Sequence, residues 1–343
     1  MSLTSLIRAM PKVELHVHLE GGLRPATVLD LAQQHHVDLP VDTVEELHRW
    51  CSVSHFDDFV RVYLAISSCI RTPDDIERIT RELLEDQAAQ QIRYSEVTYT
   101  ALTHYRFKGL AFADQLAAIN RARAWAEATL NTTMGLILDV PRKLAAEDGL
   151  MVADWAISAM NDGVIAFGIS GSEANYPAST AHAAFQRIRA AGLPLIAHAG
   201  ETAGAASIRE ALSAGALRIG HGIRCLEDDD LVAYLHQQQV PLEVCPSSNV
   251  YLGLVDRLED HPLPRLQAAG LYVTINSDDP LFFQTSLTNE LLACSRVFGY
   301  HADDIETLLL NAVRATLLPP AQRAQLENDM RSEWQQLRHL YDI

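Results

Sequence analysis

Eight short apolar segments recur along the chain with helical stretches between them, and they restrict the fold more than any other feature. Each has the length and the Val, Ile and Leu content of a strand buried on both faces. The stretches between them are rich in Ala, Leu, Arg, Glu and Gln at helical spacing. The predicted strands are 12–19, 92–100, 133–140, 163–170, 193–200, 216–223, 240–246 and 271–278. Eight such strands joined by helices predict an α/β fold, a (β/α)8 TIM barrel.

The connection after the first strand is too long for a simple crossover. Its segments PATVLDLAQQHH (25–36) and SHFDDFVRVYLAISSCI (54–70) predict extra helices, so we expect a helical cap insertion at about 24–91 over the barrel mouth. The tail from about 303 to 343 predicts terminal helices. No low-complexity tract, charge block or Pro/Gly linker divides the sequence, which predicts a single domain over residues 1–343.

Composition limits the partners. The net charge is −17 and only 3 of the 27 basic residues are lysines, which argues against nucleic-acid and anionic-membrane partners and favours a small-molecule substrate.

The five cysteines are scattered without a CxxC motif and predict reduced thiols. No apolar run reaches the ~20 residues of a membrane span, and the start lacks the ~7–15-residue apolar core of a signal peptide. We expect a cytoplasmic protein; nothing in the sequence predicts its oligomeric state.

Ionisable residues fall at the ends of the predicted strands, where the active sites of such barrels are built. They are His16 and His18 on the first strand, His198 on the fifth, His221 on the sixth, and Asp278 and Asp279 on the eighth. A single strand-end histidine is more often structural than a ligand. The first two histidines, however, are two residues apart and therefore share one face of their strand. Four strands contribute to the same mouth, which predicts a metal site.

Three imidazoles and a carboxylate suit zinc better than calcium or magnesium, which prefer oxygen ligands. The predicted zinc ligands are His16, His18, His198 and Asp278. This set leaves a position open for an activated water, with His221 either a fifth ligand or a neighbour of that water. Barrels with two such metals often bridge them with a carboxylated lysine on the fourth strand, which has no lysine here. We expect one zinc per chain, with Glu173 as the alternative bridging group.

Six motifs occur in a characteristic order: HVHLEG (16–21), SGSE (170–173), HAGE (198–201), IGHG (219–222), EVCPSSN (243–249) and NSDDP (276–280). In this combination the chain resembles the adenosine deaminase branch of the amidohydrolase superfamily over residues 12–280. The resemblance implies a metal-dependent hydrolase on a TIM barrel, with one catalytic zinc on the four ligands named above. It also implies a small purine substrate, whose 6-amino group is hydrolysed to a 6-oxo group plus ammonia.

The resemblance further implies roles for individual residues. Glu201 matches the proton donor to purine N1, and His221 matches the histidine that orients and helps to deprotonate the zinc-bound water, with help from Asp278. Asp279 matches the carboxylate that faces N7, and Gly171 matches the glycine whose backbone N–H meets N3. Because an acid at position 201 must be protonated when substrate arrives, we expect burial to raise its pKa.

The substrate depends on smaller differences. Glu20 stands where nucleoside-specific members usually have an aspartate that touches the ribose, and adenine-specific relatives often also have HLEG. Gly171 favours a nucleoside, whereas Ser172 favours the free base. The longer Glu20 also suits a 5′-altered nucleoside such as 6-aminodeoxyfutalosine. We therefore expect adenosine or a 5′-modified adenosine as substrate. Adenine is the alternative, and a non-deaminating amidohydrolase or a non-catalytic binding protein is more distant.

Other histidines lack partners at ligand spacing and are predicted to be surface or cap residues: His35, His36, His48, His55 and His104. The aromatic residues Phe56, Phe59 and Tyr63 follow helical spacing, which predicts either a substrate lid or an ordinary packing face.

Overall fold

Eight parallel strands form one sheet in the computed structural model, which describes residues 2–343. The strands are β1 (Lys12–His18), β2 (Ile92–Tyr99), β3 (Thr133–Pro141), β4 (Val164–Ser170), β5 (Leu195–Ala199), β6 (Arg218–His221), β7 (Leu242–Val244) and β8 (Val273–Ile275). Each strand pairs in parallel with the next one along the chain. The predicted (β/α)8 TIM barrel is therefore confirmed. The domain predicted over residues 1–343 also includes Met1, which lies outside the described residues.

The barrel closes where the chain beyond β8 meets β1. Val17 and Asp278 form a parallel bridge. On either side of it, the N–H of His18 donates to Asp278 O at 2.9 Å, and the N–H of Asp278 donates to His16 O at 3.0 Å. The hydrogen bonds that close the barrel therefore also bring two histidines and a carboxylate to one point at its mouth.

The last three strands are shorter than predicted, and a left-handed residue lies at or soon after the end of two of them. His221 ends β6 with φ of 61°, and Asp278 follows β8 with φ of 64°. The left-handed region costs a non-glycine residue on the order of 1–3 kcal/mol, and such residues cluster at functional sites. The left-handed backbone at His221 and Asp278 interrupts the alternation of a regular strand, which a period-two pattern does not predict.

Helices surround the barrel and cover its mouth. They are α1 (Leu3–Ala9), α2 (Pro25–Gln34), α3 (Val44–Cys51), α4 (Phe56–Ser67), α5 (Pro73–Ala89), α6 (Ala101–Lys108), α7 (Phe112–Thr129), α8 (Arg142–Ser158), α9 (His182–Ala191), α10 (Ala205–Ala214), α11 (Asp229–Gln238), α12 (Pro246–Tyr251), α13 (Leu263–Ala268), α14 (Pro280–Phe283), α15 (Leu287–Phe298), α16 (Ala302–Ala315) and α17 (Pro320–Tyr341). The extra helices predicted at 25–36 and 54–70 correspond to α2 and α4, and the terminal helices correspond to α16 and α17. None of the helices from residue 2 onward is both long and apolar enough to cross a bilayer.

An aromatic cluster attaches α4 to the chain that follows β8. The ring of Phe59 packs 5.1 Å from Phe282 and 5.6 Å from Phe283, and Tyr63 stacks on Phe282 at 5.6 Å between ring centroids. Aromatic pairs at these separations contribute about 0.5–1.5 kcal/mol each beyond the burial of their area. The face of α4 that carries Phe59 and Tyr63 is therefore held directly above the residues that close the barrel.

Candidate active site

Three imidazoles and one carboxylate meet at the mouth of the barrel, all buried. His18 Nε2 lies 3.2 Å from His198 Nε2 and 3.4 Å from Asp278 Oδ1. His16 Nε2 lies 3.2 Å from the same Oδ1 atom. Ligand atoms held at about 2.0–2.1 Å by a tetrahedral zinc ion lie about 3.3 Å from one another. These three separations match edges of a tetrahedral site. The residues at metal-ligand spacing form two groups that share Asp278, one with His16, His198 and His221 and the other with His18 and Asp279.

The polarity of the cluster also fits a metal ion. The Nδ1–H of His198 donates to Ile169 O at 3.1 Å, so its Nε2 lone pair is directed at the cluster. His16 Nε2 is buried without an aligned hydrogen-bond partner. Burial lowers the pKa of His16, but Asp278 and Glu243 outweigh burial and raise it to about 10. A bound cation would take the place of that proton, because metal ligands bind in their deprotonated form.

A chain of buried ions supports His16 from below. Its Nδ1 lies 2.8 Å from Glu243 Oε2. The other oxygen of Glu243 accepts Arg218 Nε at 2.5 Å, and Arg218 Nη2 lies 2.5 Å from Glu96 Oε2. A carboxylate behind a ligating histidine fixes its ring orientation and tautomer. Sequence reasoning missed these three residues, although their alternation on β2, β6 and β7 places them inside the barrel.

Glu201 lies beside the cluster with its carboxyl group buried. Its Oε1 is 3.7 Å from His221 Nε2. Burial, followed by the negative charges of Asp278 and Glu173, raises the pKa of Glu201 well above its ordinary value. The structure thus agrees with the expectation of a raised pKa. The carboxyl group therefore keeps its proton to a higher pH than an ordinary glutamate does.

Glu173 holds the loop that carries Glu201. Its Oε1 accepts the N–H groups of Glu201 and Thr202 at 2.9 and 2.8 Å, and its Oε2 accepts the N–H of Gly200 at 2.8 Å and the hydroxyl of Ser207. The groups of histidines and carboxylates at metal-ligand spacing that the structure describes do not include it. The alternative of Glu173 as a bridge between two metals therefore has no geometric support, because both oxygens are occupied by loop donors.

A cavity of about 130 Å³ opens beside the cluster. The barrel contributes His198, Glu201 and Asp279 to its wall, and α4 contributes Phe59 and Tyr63. Burial and the neighbouring Asp278 charge raise the pKa of Asp279 well above its ordinary value, which favours the protonated form that donates a hydrogen bond. The aromatic residues of α4 thus line the cavity as well as packing on the barrel.

Gly171 also lines this cavity, with φ of 98°. A side chain is strained in that conformation, so glycine allows the turn after β4. Together with Glu201 and Asp279, Gly171 gives the cavity three groups that can donate a hydrogen bond, beside the imidazoles that also line it.

Glu20 lies behind the wall of the cavity, only 1% exposed. Its Oε1 accepts the N–H of Thr100 at 3.2 Å and lies 3.1 Å from His104 Nε2, while Lys108 Nζ lies 2.9 Å from His104 Nδ1. The prediction of His104 as a surface or cap residue is wrong, since this histidine is fully buried. It stacks on Tyr99 and pairs with Glu20, a partner 84 positions away that ligand spacing cannot reveal.

Comparison with known proteins finds relatives that match nearly the whole chain. The family model described as adenosine deaminase matches residues 11–333. A curated aminodeoxyfutalosine deaminase from Streptomyces avermitilis is 37% identical over 332 residues, which cover 94% of this chain and 91% of that protein.

Two solved structures share the fold over nearly the whole chain. An adenine deaminase from Arthrobacter aurescens is 35% identical, with a TM-score of 0.90, covering 96% of this chain and 100% of that one. An amidohydrolase from Burkholderia ambifaria with bound Zn is 25% identical, with a TM-score of 0.92, covering 99% of this chain and 95% of that one.

Proposed function

The chain belongs to the adenosine deaminase family and is a hydrolase acting on C–N bonds, a deaminase of adenosine-like or adenine substrates, and on this premise we propose its specific reaction. The reaction is zinc-dependent hydrolytic deamination of a 6-aminopurine nucleoside, adenosine or a 5′-modified adenosine, to the 6-oxo product plus ammonia. The substrate is a small molecule bound in the cavity beneath α4, and nucleic acid and membranes are not partners.

One observation carries the proposal: three groups that can donate a hydrogen bond line the same cavity as the imidazoles. They are the carboxyl groups of Glu201 and Asp279, each with a raised pKa, and the N–H of Gly171. A 6-aminopurine nucleoside has three ring-nitrogen acceptors outside the sugar linkage, N1, N3 and N7. Assigning Glu201 to N1, Gly171 to N3 and Asp279 to N7 gives every acceptor a donor and turns C6 towards the cluster.

The residues of the chain then divide the chemistry. His16, His18, His198 and Asp278 would hold the zinc, which supplies a Lewis acid that makes a bound water a better nucleophile. Glu201 gives its proton to N1, so the charge that develops during addition at C6 is taken up by the ring. His221 lies where it can orient the oxygen that adds.

Asp278 accepts the proton that the water loses. Burial opposes ionisation, but the hydrogen bond from His16 and the surrounding imidazoles hold the pKa of Asp278 well below its ordinary value, so it is a carboxylate. That proton then leaves with the amino group as ammonia, and Glu201 recovers its proton from the new oxygen. The net change is water in and ammonia out.

A nucleoside is favoured over the free base by Gly171 and by the 37% identical relative, whose name is aminodeoxyfutalosine deaminase. The 35% identical adenine deaminase structure supports the free base as the second candidate. Steady-state kcat/KM values for adenosine, 6-aminodeoxyfutalosine and adenine decide between them. We expect one of the two nucleosides to have the highest value, and dominance of adenine would contradict this choice.

We propose one zinc per chain. Asp278 belongs to both groups of side chains at metal-ligand spacing, one with His16 and His198 and the other with His18, and β4 has no lysine to bridge a second ion. Metal analysis of the purified enzyme by inductively coupled plasma mass spectrometry is expected to give one equivalent of zinc. Two equivalents would contradict this stoichiometry and favour a hydrolase with a two-metal centre.

A further inference from the structure

His221 is the last member of a hydrogen-bonded chain that begins at the backbone of α13. The N–H of Leu263 donates to His261 Nδ1 at 3.1 Å. His261 Nε2 lies 3.0 Å from Asn249 Oδ1, and Asn249 Nδ2 lies 3.4 Å from His221 Nδ1. The three side chains are buried, so water does not compete for these contacts. We refer to the chain Leu263–His261–Asn249–His221 as the relay.

The direction of every hydrogen bond in the relay follows from its first member. Leu263 supplies the first N–H at the start of α13, because Pro262 has none, and a backbone N–H can only donate. Nδ1 of His261 is therefore an acceptor. Burial lowers the pKa of His261 to about 4, so its ring is neutral and its one hydrogen is on Nε2.

That hydrogen determines the orientation of the next amide. The Nε2–H of His261 needs an acceptor, so the oxygen of Asn249 faces it. If the amide were turned around, its NH2 group would point at another donor. The NH2 group of Asn249 therefore faces His221, and Nδ1 of His221 must accept.

Nδ1 of His221 cannot also carry a hydrogen, which excludes the imidazolium and leaves the ring hydrogen on Nε2. That nitrogen points into the site, 3.7 Å from Glu201 Oε1 and 3.9 Å from Asp278 Oδ2. A ring nitrogen that carries hydrogen has no lone pair in the ring plane, so it can neither bind a metal nor take a proton from water.

We propose that the relay holds His221 in its neutral Nε2–H form, so that it donates a hydrogen bond to the oxygen adding at C6. This inference rests on the proposed function for the identity of that oxygen. Asn249 and His261 are positioning residues that act through His221. This role replaces two roles expected for His221 from the sequence, that of a fifth zinc ligand and that of a group that helps to deprotonate the water. Asp278 alone takes the proton from the water.

The substitution Asn249→Asp inverts the relay with almost no change of shape. One carboxylate oxygen still accepts the Nε2–H of His261, but the other now faces His221 Nδ1 and requires a hydrogen there. The tautomer of His221 switches, and Nε2 loses its hydrogen. Asn289→Asp makes the same chemical change on the exposed face of α15 and is the matched control.

The tautomer is read by ¹⁵N–¹H NMR of the zinc-loaded, histidine-labelled enzyme, with His221 assigned by the loss of its signals in His221→Gln. We expect a protonated Nε2 and an unprotonated Nδ1 in the wild type and in Asn289→Asp, and the reverse in Asn249→Asp. A wild-type spectrum with hydrogen on Nδ1, or with Nε2 bound to zinc, would overturn the proposal. Should Asn249→Asp fail to fold, the wild-type spectrum decides alone.

Kinetics provide the second readout. In Asn249→Asp we expect kcat to fall about 10²-fold, the usual cost of losing one donor to a developing oxyanion, with KM and zinc content changed less than about threefold. Unchanged or higher kcat would mean that an unprotonated Nε2 serves the reaction, which contradicts the proposal. Failure of the proposed function is a different result, since the wild type would then release no ammonia from any aminopurine while the NMR spectrum still reports the tautomer.

Discussion

Replacing Glu173 with glutamine tests how the proton donor is held in place. The side chain touches neither the cavity nor the metal ligands, yet its two oxygens accept the backbone N–H groups of Gly200, Glu201 and Thr202. Glutamine keeps one acceptor oxygen and puts an NH2 group in place of the other. The hydroxyl of Ser207 can rotate to accept a hydrogen bond from that NH2 group. The N–H of Gly200 can only donate, so it is left without an acceptor.

The magnitude follows from that one orphaned donor. A buried N–H without an acceptor costs about 1–3 kcal/mol, and the charge-assisted bonds that become neutral add to it, so we expect a loss of ~3 kcal/mol. With an unfolding entropy of about 2.1 cal/mol/K per residue, this lowers the Tm by ~4 °C for a chain of 343 residues. The loop then relaxes away from Gly200, and a displacement of ~1 Å at Glu201 lowers kcat about 10²-fold.

The assay is a double-mutant cycle on kcat with Glu173→Gln, Glu201→Gln and the pair. If Glu173 acts through the placement of Glu201, Glu173→Gln has almost no further effect on kcat in an enzyme that already carries Glu201→Gln. Ser207→Ala is the matched control, since it removes one donor to Glu173 without touching the loop amides, and kcat should change less than about threefold. Additive losses in the cycle, or an unchanged kcat in Glu173→Gln, would refute this reasoning.

Three further predictions concern other members of the site. Glu201→Gln lowers kcat about 10²–10⁴-fold, the usual share of a general acid. Because that acid must be protonated, the kcat of the wild type is full below the raised pKa of Glu201 and is lost as the pH rises above it. A variant whose kcat still fell at alkaline pH in the same way would contradict the assignment. Glu243→Gln removes the carboxylate that fixes the ring orientation of His16, so zinc affinity measured by chelator competition should fall about 10–100-fold. An unchanged zinc affinity would mean that Glu243 does not orient this ligand. His104→Phe keeps the ring on Tyr99 but leaves Oε1 of buried Glu20 with only the N–H of Thr100 as a donor, so thermal unfolding should show a Tm lower by ~3 °C for a loss of ~2 kcal/mol. An unchanged Tm would mean that the pair of His104 and Glu20 contributes nothing to stability.

The barrel was predictable because its signals are local. Apolar runs of strand length alternate with helical spacing, and parallel strands joined by helices close in only a few ways. The histidines of β1 were predictable for the same reason, since i and i+2 share a face. The left-handed φ angles of His221 and Asp278 were not, because they depend on how the ends of the strands pack at the mouth.

The parts of the site that sequence reasoning missed depend on backbone groups and on distant partners. Glu173 acts on amide N–H groups, which every residue has and which no pattern of side chains reveals. His104 occupies an unremarkable helical position, and only folding brings Glu20 against it. The relay through Asn249 and His261 likewise begins at a backbone N–H, so its polarity becomes visible only in three dimensions.

The most direct test of the account is ammonia release from adenosine, 6-aminodeoxyfutalosine and adenine by one enzyme preparation in two states, stripped of metal by a chelator and reloaded with one equivalent of zinc. We expect the stripped enzyme to be inactive. The reloaded enzyme should form one ammonia per 6-oxo product and be most active on a nucleoside. No ammonia from any of the three substrates with zinc present, or equal activity in the stripped state, would contradict zinc-dependent aminopurine deamination.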